Sequence, residues 1–495
     1  MIAALRQRSS SLLLLLGAYF LLNMLVRLSL PASLELDEGQ QLYYAQFLSL
    51  GYDSQPPFYN WIQYGVVELL GPSLLSLTLL KNLMLFTSYA LMAATGFTLL
   101  KSRDLAVIAT LAILTMPQVS FEAQRDLTHT VALIFSTALF FFALIRTLKQ
   151  PSLGFYALTG LAIGIGTISK YNFVLIPLAT LIALSLEPAF RRRLFDWRLL
   201  VTLAIAVAVV LPHGLWFLDH MEEATRNTIG KMTDEKLKTL TGQIAVGLRS
   251  LTAATLASAA LTVLLLLIPF GKGVRQTLKS GNEWSRLLGR SMAFVVVMLA
   301  LMVIFGGVSF IKDRWLAPSF LMLPLYIALK VEASGHWPEK ALNRFLPVAL
   351  VIMVLVPLAL TLRVFLAGTY IEYQKQSVPY ARAITAMLKS MPERPGFVLT
   401  SDQQLAGNVR LSAPDLPVGV APGSAMMPQP LSPDRPVMLI WRDKGRPEPE
   451  LPQPMRDWVN SQPGLSQQSV GQISLPYLYG KQGDLYHFSY AVYGR

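Results

Sequence analysis

The chain has 495 residues, of which 53% are hydrophobic and only 14% charged, where a soluble chain carries about a quarter charged residues. Its 42 Lys and Arg against 29 Asp and Glu give a formal net charge of +13, and it has no cysteine, which excludes disulfides and thiolate chemistry. Lipid-facing surface carries charge only at high cost, and the apolar residues cluster in runs of the roughly 20 residues that cross ~30 Å of hydrocarbon, so a water-soluble fold is excluded.

The first apolar run, 11–30, follows Arg6 and Arg8. It is longer than a signal-peptide core, and Leu30 fills the small-residue position before a cut after Ala32, so it reads as an uncleaved span. Further runs follow at 74–99, 104–118, 127–147, 154–169, 172–187, 199–218, 244–270, 291–310, 315–330 and 345–367. About eleven transmembrane helices are expected. The basic excess lies in the loops between them: Lys101 with Arg103, Arg146 with Lys149, Arg191 to Arg193, Lys272 with Arg275 and Lys279, and Lys340 with Arg344. This is the pattern of cytoplasmic loops and argues against a nucleic-acid partner. It places the N-terminus inside, and outside it places the acidic Glu35–Asp37–Glu38 segment, Glu122–Asp126 and everything after 368.

Two expected outer loops are long, 32–73 and 219–243. In the first, Leu42, Tyr43, Ala45, Gln46, Phe47 and Leu50 read as an interfacial helix, with Tyr59, Trp61 and Tyr64 at headgroup level. The second carries both signs, in Glu222, Glu223, Arg226, Lys231, Asp234 and Lys236. The expected organisation is an all-α membrane domain over 1–368 and a small α/β domain over 369–495. In the latter, 377–391 predicts an amphipathic helix and 396–400, 436–441 and 485–492 predict strands, with Pro and Gly between them.

Polar groups beside hydrocarbon are the candidate functional residues. In Leu36-Asp37-Glu38-Gly39-Gln40, Asp37 could cap the interfacial helix with Gln40 completing a capping box, or act as a general base on an acceptor hydroxyl. Asp126, with Glu122, Arg125 and His129 before an apolar run, could be a helix-start acid, a partner of Arg125, or the lining of a cavity. Lys170-Tyr171, and Lys312 with Asp313 and Arg314, put cations on the side where the loop-charge rule does not want them. They could snorkel or hold a lipid phosphate. His213, after Pro212, could be a satisfied polar contact, a metal ligand or a proton carrier. There is no P-loop and no GxGxxG after a strand; the Gly160, Gly164, Gly166 series suits close helix packing.

The order of these features carries a resemblance. An Asp-Glu follows the first span; then come Gln55-Pro56-Pro57-Phe58-Tyr59-Asn60-Trp61, Arg125-Asp126 heading a helix, Ser169-Lys170-Tyr171, Pro212-His213 with Trp216, and Arg314-Trp315-Leu316-Ala317-Pro318. Over residues 1 to about 370 the chain resembles the GT-C integral-membrane glycosyltransferases. Within them it is similar to the family-39-like group of protein O-mannosyltransferases, the lipid A aminoarabinose transferase and the lipopolysaccharide galacturonosyltransferases. The resemblance implies an inverting transferase of a bacterial inner membrane. It would use a polyprenyl-phosphate sugar as donor and a lipid or glycan of the envelope as acceptor, with its C-terminal domain in the periplasm. It assigns catalysis to Asp37, with Glu38 and Asp126 orienting it or binding acceptor. It gives the donor phosphate to Arg125, Lys170, Tyr171, Lys312 and Arg314, and substrate contacts to Gln55, Tyr59 and His213. The aminoarabinose transferases carry Glu-Lys-Pro-Pro where this chain has Ser54-Gln55-Pro56-Pro57, so a carboxylate and a cation are missing from that turn. A divalent metal near His213 is left open. The competing readings are a transporter or lipid flippase, which would place ionisable groups at mid-span and often show repeated halves, and a protein O-glycosyltransferase.

Overall fold

The computed structural model describes residues 1–222, 224, 225, 230, 239–422, 426–428, 435–443 and 450–494. Most of the expected loop 219–243, including Glu223, Arg226, Lys231, Asp234 and Lys236, lies outside them. All eleven expected apolar segments are helical. Among the described residues, eight helices are long and apolar enough to cross a membrane; a ninth candidate is the pair Arg103–Thr115 and Gln118–Arg125, bent by 72°. The other two expected spans are the shorter helices Leu153–Thr167 and Tyr171–Ser185. The expected count of eleven therefore overstates the full-length spans.

The chain forms two compact units that do not follow its order. One comprises residues 1–21, 50–59 and 82–356, the other residues 22–49, 60–81 and 357–495. In the first, small residues set the packing. A methyl on Gly160 would lie 2.3 Å from the Thr202 carbonyl oxygen, and one on Gly164 2.6 Å from Val209, so the Leu153–Thr167 and Leu199–Asp219 helices touch along these glycines, the close approach that small residues permit in lipid. The Glu283–Gly306 helix starts with a capping box of Asn282 and Ser285 and ends at Gly307 in the left-handed region (φ 70°), which only glycine adopts without strain.

The second unit contains a five-stranded sheet of order β2-β1-β3-β5-β4. β1 (Phe397–Thr400) runs parallel to β2 (Val418–Val420) and β3 (Val437–Asp443), while β5 (Leu485–Gly494) is antiparallel to β3 and to β4 (Ser466–Pro476). Phe397, Leu399, Leu439, Trp441, Met455 and Ala491 form its core. The predicted strands correspond to β1, β3 and β5, and the predicted helix to Tyr380–Ser390. β2 is three residues long, and β4 is an exposed edge strand rich in Ser and Gln; its apolar alternation is confined to Ile473 and Leu475, too short a run to reveal a strand.

Candidate active site

In the second unit the chain leaves the first span and enters the helix Leu36–Tyr44. Its N-cap is Glu35, and a capping box joins Glu35 to Glu38. The cap expected of Asp37 and Gln40 is therefore formed two residues earlier, by the different pair Glu35 and Glu38. The helix also ends at Tyr44, so Ala45 to Leu50 lie beyond it rather than on an extended interfacial helix. Glu38 is 2% exposed. Arg27, from the last turn of the first span, grips both its carboxylate oxygens at 2.8 and 3.0 Å, and Lys81 lies at 3.6 Å. The same guanidinium donates to the carbonyls of Pro31 and Ser33, folding the turn back on the span. Burial pushes the Glu38 carboxyl up, but the charges of Arg27 and Lys81 and their hydrogen bonds outweigh it and hold it below the ordinary value. Glu35, 6% exposed, pairs with Arg363. Asp37 is the partly exposed member of the three acids. Glu38, the next residue, anchors the helix.

The helix Gln403–Ser412 braces this loop. Gln404 donates to the Leu34 carbonyl at 2.7 Å, and Asn408 accepts from the Leu34 N–H at 3.1 Å. Gln404 in turn accepts from Arg442 (2.7 Å), which pairs with Asp402 at 3.0 Å. Gln40 donates to Gln403 at 2.5 Å. The two helices cross at glycines: a methyl on Gly39 would lie 2.7 Å from the Gln404 Cα, and one on Gly407 2.1 Å from the Gly39 carbonyl oxygen. Backbone meets backbone there, with no room for a side chain.

The first unit gathers the other candidates. The bent helix passes through a π-turn at Gln118–Glu122, a distortion frequent at functional sites. It ends at Asp126, and the next span, Thr128–Lys149, begins after Leu127, which is left-handed (φ 68°). A branched residue there costs of order 1–3 kcal/mol. Arg125 pairs with Glu122 at 2.6 Å, and the N-cap of the following span is Leu127 rather than Asp126. Asp126 is 7% exposed. One turn on, buried His129 sits 6.1 Å from the Tyr59 ring. Lys170 donates to Thr130 at 2.9 Å, and the backbone N–H of Phe58 donates to the Ile168 carbonyl at 3.0 Å. Gln55 closes a tight turn on Tyr52, with Asp53 left-handed (φ 49°).

The Lys170 turn is tied to the Arg314 segment, because Asn172 donates to the Trp315 carbonyl at 3.1 Å. Gln118 ties the π-turn to the same segment through Asp313 at 2.8 Å. Lys312 lies 5.8 Å from the Phe310 and Trp315 rings. The Arg314 guanidinium makes no hydrogen bond or ion pair among the described residues, and Arg314 is partly exposed. Tyr171 stacks on His213, whose Nδ1 lies 2.8 Å from the Leu50 carbonyl and whose Nε2 lies 3.3 Å from the Tyr171 hydroxyl. The carbonyl can only accept, so Nδ1 carries the proton, and Nε2 accepts from Tyr171. Both ring nitrogens are therefore used internally. Among the described residues no three His, Asp or Glu side chains converge as a metal would require. Arg27 and Lys81 were not foreseen, although charges within apolar runs are the signal that finds such residues.

The family model for dolichyl-phosphate-mannose-protein mannosyltransferase matches residues 54–216. The chain is 45% identical to the lipopolysaccharide core galacturonosyltransferase RgtB of Rhizobium johnstonii, over 96% of each chain. It is 40% identical to RgtA of the same organism, over 97% of this chain and 96% of that one. In structure it matches ArnT from Cupriavidus metallidurans bound to undecaprenyl phosphate, with a TM-score of 0.64 at 12% identity and 98% of both chains covered. The fold is thus that of a GT-C membrane glycosyltransferase, a multi-span helical domain with a small α/β sheet. The chain belongs to the family of the lipopolysaccharide core galacturonosyltransferases.

Proposed function

We propose that the chain transfers a uronic acid from a polyprenyl-phosphate carrier to a lipopolysaccharide core acceptor, inverting the anomeric carbon, on the periplasmic side of a bacterial inner membrane. The relatives' names supply the sugar and acceptor class, and the ArnT structure holds a lipid phosphate of the donor type. The observation that carries the mechanism is the contrast among three neighbouring acids: Glu35 and Glu38 are buried against Arg363 and Arg27, and Asp37 is left partly exposed on the helix they fix.

Asp37 takes the proton of the acceptor hydroxyl as that oxygen attacks the anomeric carbon. The new carbon–oxygen bond forms as the bond to phosphate breaks from the opposite face, and the polyprenyl phosphate leaves with the electron pair. Lys170, Lys312 and Arg314 stabilise its growing charge. Gln55, which is partly exposed, contacts the sugar; Asp126 and Tyr59, both buried, shape the site behind it, and His213 holds Tyr171 in place.

Membrane vesicles supplied with polyprenyl-phosphate-linked labelled galacturonate and truncated lipopolysaccharide should yield labelled lipopolysaccharide. Label entering the vesicles with no covalent product supports the transporter reading and defeats this one; label in protein supports the O-glycosyltransferase. Arg314→Ala should raise the donor KM about 10- to 100-fold, the worth of one charge-assisted hydrogen bond to phosphate, and Arg314→Lys should recover part of it. An unchanged donor KM removes Arg314 from the donor site.

A further inference from the structure

Within the first unit, on the side carrying the basic loops, a groove of about 530 Å³ opens among the first span, the later half of the Leu74–Leu99 helix and the end of the Thr128–Lys149 helix. Its wall is mostly apolar, formed by Leu13, Ala90, Ala94 and Phe97. Two cations, Arg146 and Lys149, line its mouth, and a third, Arg103, stands beside it against the lining residues Ser9 and Phe97. Arg146 lies 5.5 Å from the Phe142 ring. Lys149 donates to the Thr98 carbonyl at 2.6 Å, and Arg103 donates to Ser9 at 2.9 Å while lying 4.9 Å from the Phe97 ring. None of these three cations forms an ion pair among the described residues. Other cations of the same unit do find carboxylates: Arg6 pairs with Asp104 and Arg286 with Glu187, each at 2.8 Å. The mouth of this groove therefore holds uncompensated positive charge at the edge of an apolar channel.

We propose that this groove binds one anionic phospholipid, its phosphate held by Arg103, Arg146 and Lys149 and an acyl chain laid along Leu13, Ala90, Ala94 and Phe97. The small alanines let a chain lie close to the helix backbone, and the cations stand where apolar wall gives way to the polar end, as an amphiphile requires. Basic pockets between membrane helices select anionic headgroups by this means. The arginines give planar forks and the lysine a point charge. None of these residues belongs to the transfer chemistry, so binding here is separable from catalysis.

Native mass spectrometry of the purified protein, offered phosphatidylglycerol, phosphatidylcholine of the same chains, or undecaprenyl phosphate, tests this. The wild type should retain phosphatidylglycerol in preference to the other two. Arg146→Gln with Lys149→Gln should weaken that retention roughly 30-fold, at about 1 kcal/mol per cation. The charge-keeping pair Arg146→Lys with Lys149→Arg should retain the lipid, as should Arg192→Gln with Arg193→Gln, which alters another basic loop. If the double glutamine variant does not fold, Arg146→Gln alone is read in its place. Equal retention of phosphatidylcholine, equal retention by the glutamine variants, or preferential retention of undecaprenyl phosphate lost on the same substitutions overturns the proposal.

Discussion

Asp37→Asn lowers kcat for transfer by roughly 10²- to 10⁴-fold, the contribution of a positioned general base, and leaves donor KM and thermal unfolding near their wild-type values. Asparagine keeps the side chain's size and its place in the first turn of the Leu36–Tyr44 helix but cannot take a proton. The thermal melt separates this loss from a folding defect, and the capping box, the ion pairs of Glu35 and Glu38, and the Leu34 hydrogen bonds that fix the helix are all kept in the variant. The measurement is initial transfer rate against donor concentration beside a thermal melt of the same preparation. Transfer within about threefold of wild type, against the 10²-fold minimum for a base, would sink Asp37 in that role.

Glu38→Gln acts by the opposite route. It removes the carboxylate that Arg27 grips at 2.8 Å and Lys81 approaches at 3.6 Å, both cations being buried. Leaving two buried charges without their counter-ion costs about 3–5 kcal/mol, so the variant should unfold at a clearly lower temperature and lose transfer as a consequence. The sign of the pH effect follows from the lowered pKa. The folded state holds Glu38 ionised below its ordinary value of 4.5, so this stabilisation is fully present above that value and is lost as pH falls through the lowered one. The midpoint of thermal unfolding of the wild type should therefore drop below pH 4.5 by more than that of Glu38→Gln. Equal drops in the two proteins would show that the ion pair does not titrate this way.

The membrane spans were legible because hydrocarbon imposes a long apolar run that few other structures need. The strands β1, β3 and β5 were legible for their β-branched and aromatic content, whereas β4 is an edge strand dominated by serines and glutamines, with only Val470, Ile473 and Leu475 apolar along its length. The position of Asp37 could be read from a carboxylate just after a span. The identity of the cap could not: Glu35, Asp37 and Glu38 stand within four residues, and Glu35 takes the N-cap because Arg363, distant in sequence, pairs with it. Asp126 was visible as a polar residue beside hydrocarbon, but the left-handed Leu127 that separates it from the following helix leaves no mark in residue type. The helix Gln403–Ser412 was missed for a related reason. Gly407 interrupts its pattern, and its buried Gln404 and Asn408 look like solvent-facing residues until the loop they hold is seen.

The brace on Leu34 has a bearing on how the protein matures. The loop bearing the proposed base is fastened by Arg27 and Lys81, made early in translation, and by Arg363, Gln404 and Asn408, made late. A ribosome stalled before codon 403 would thus release a chain whose spans can insert but whose catalytic turn lacks its final fastening. Sugar carriers in the bilayer would be shielded from half-built transferase, and a truncation series assayed for insertion and transfer should display insertion well before any transfer.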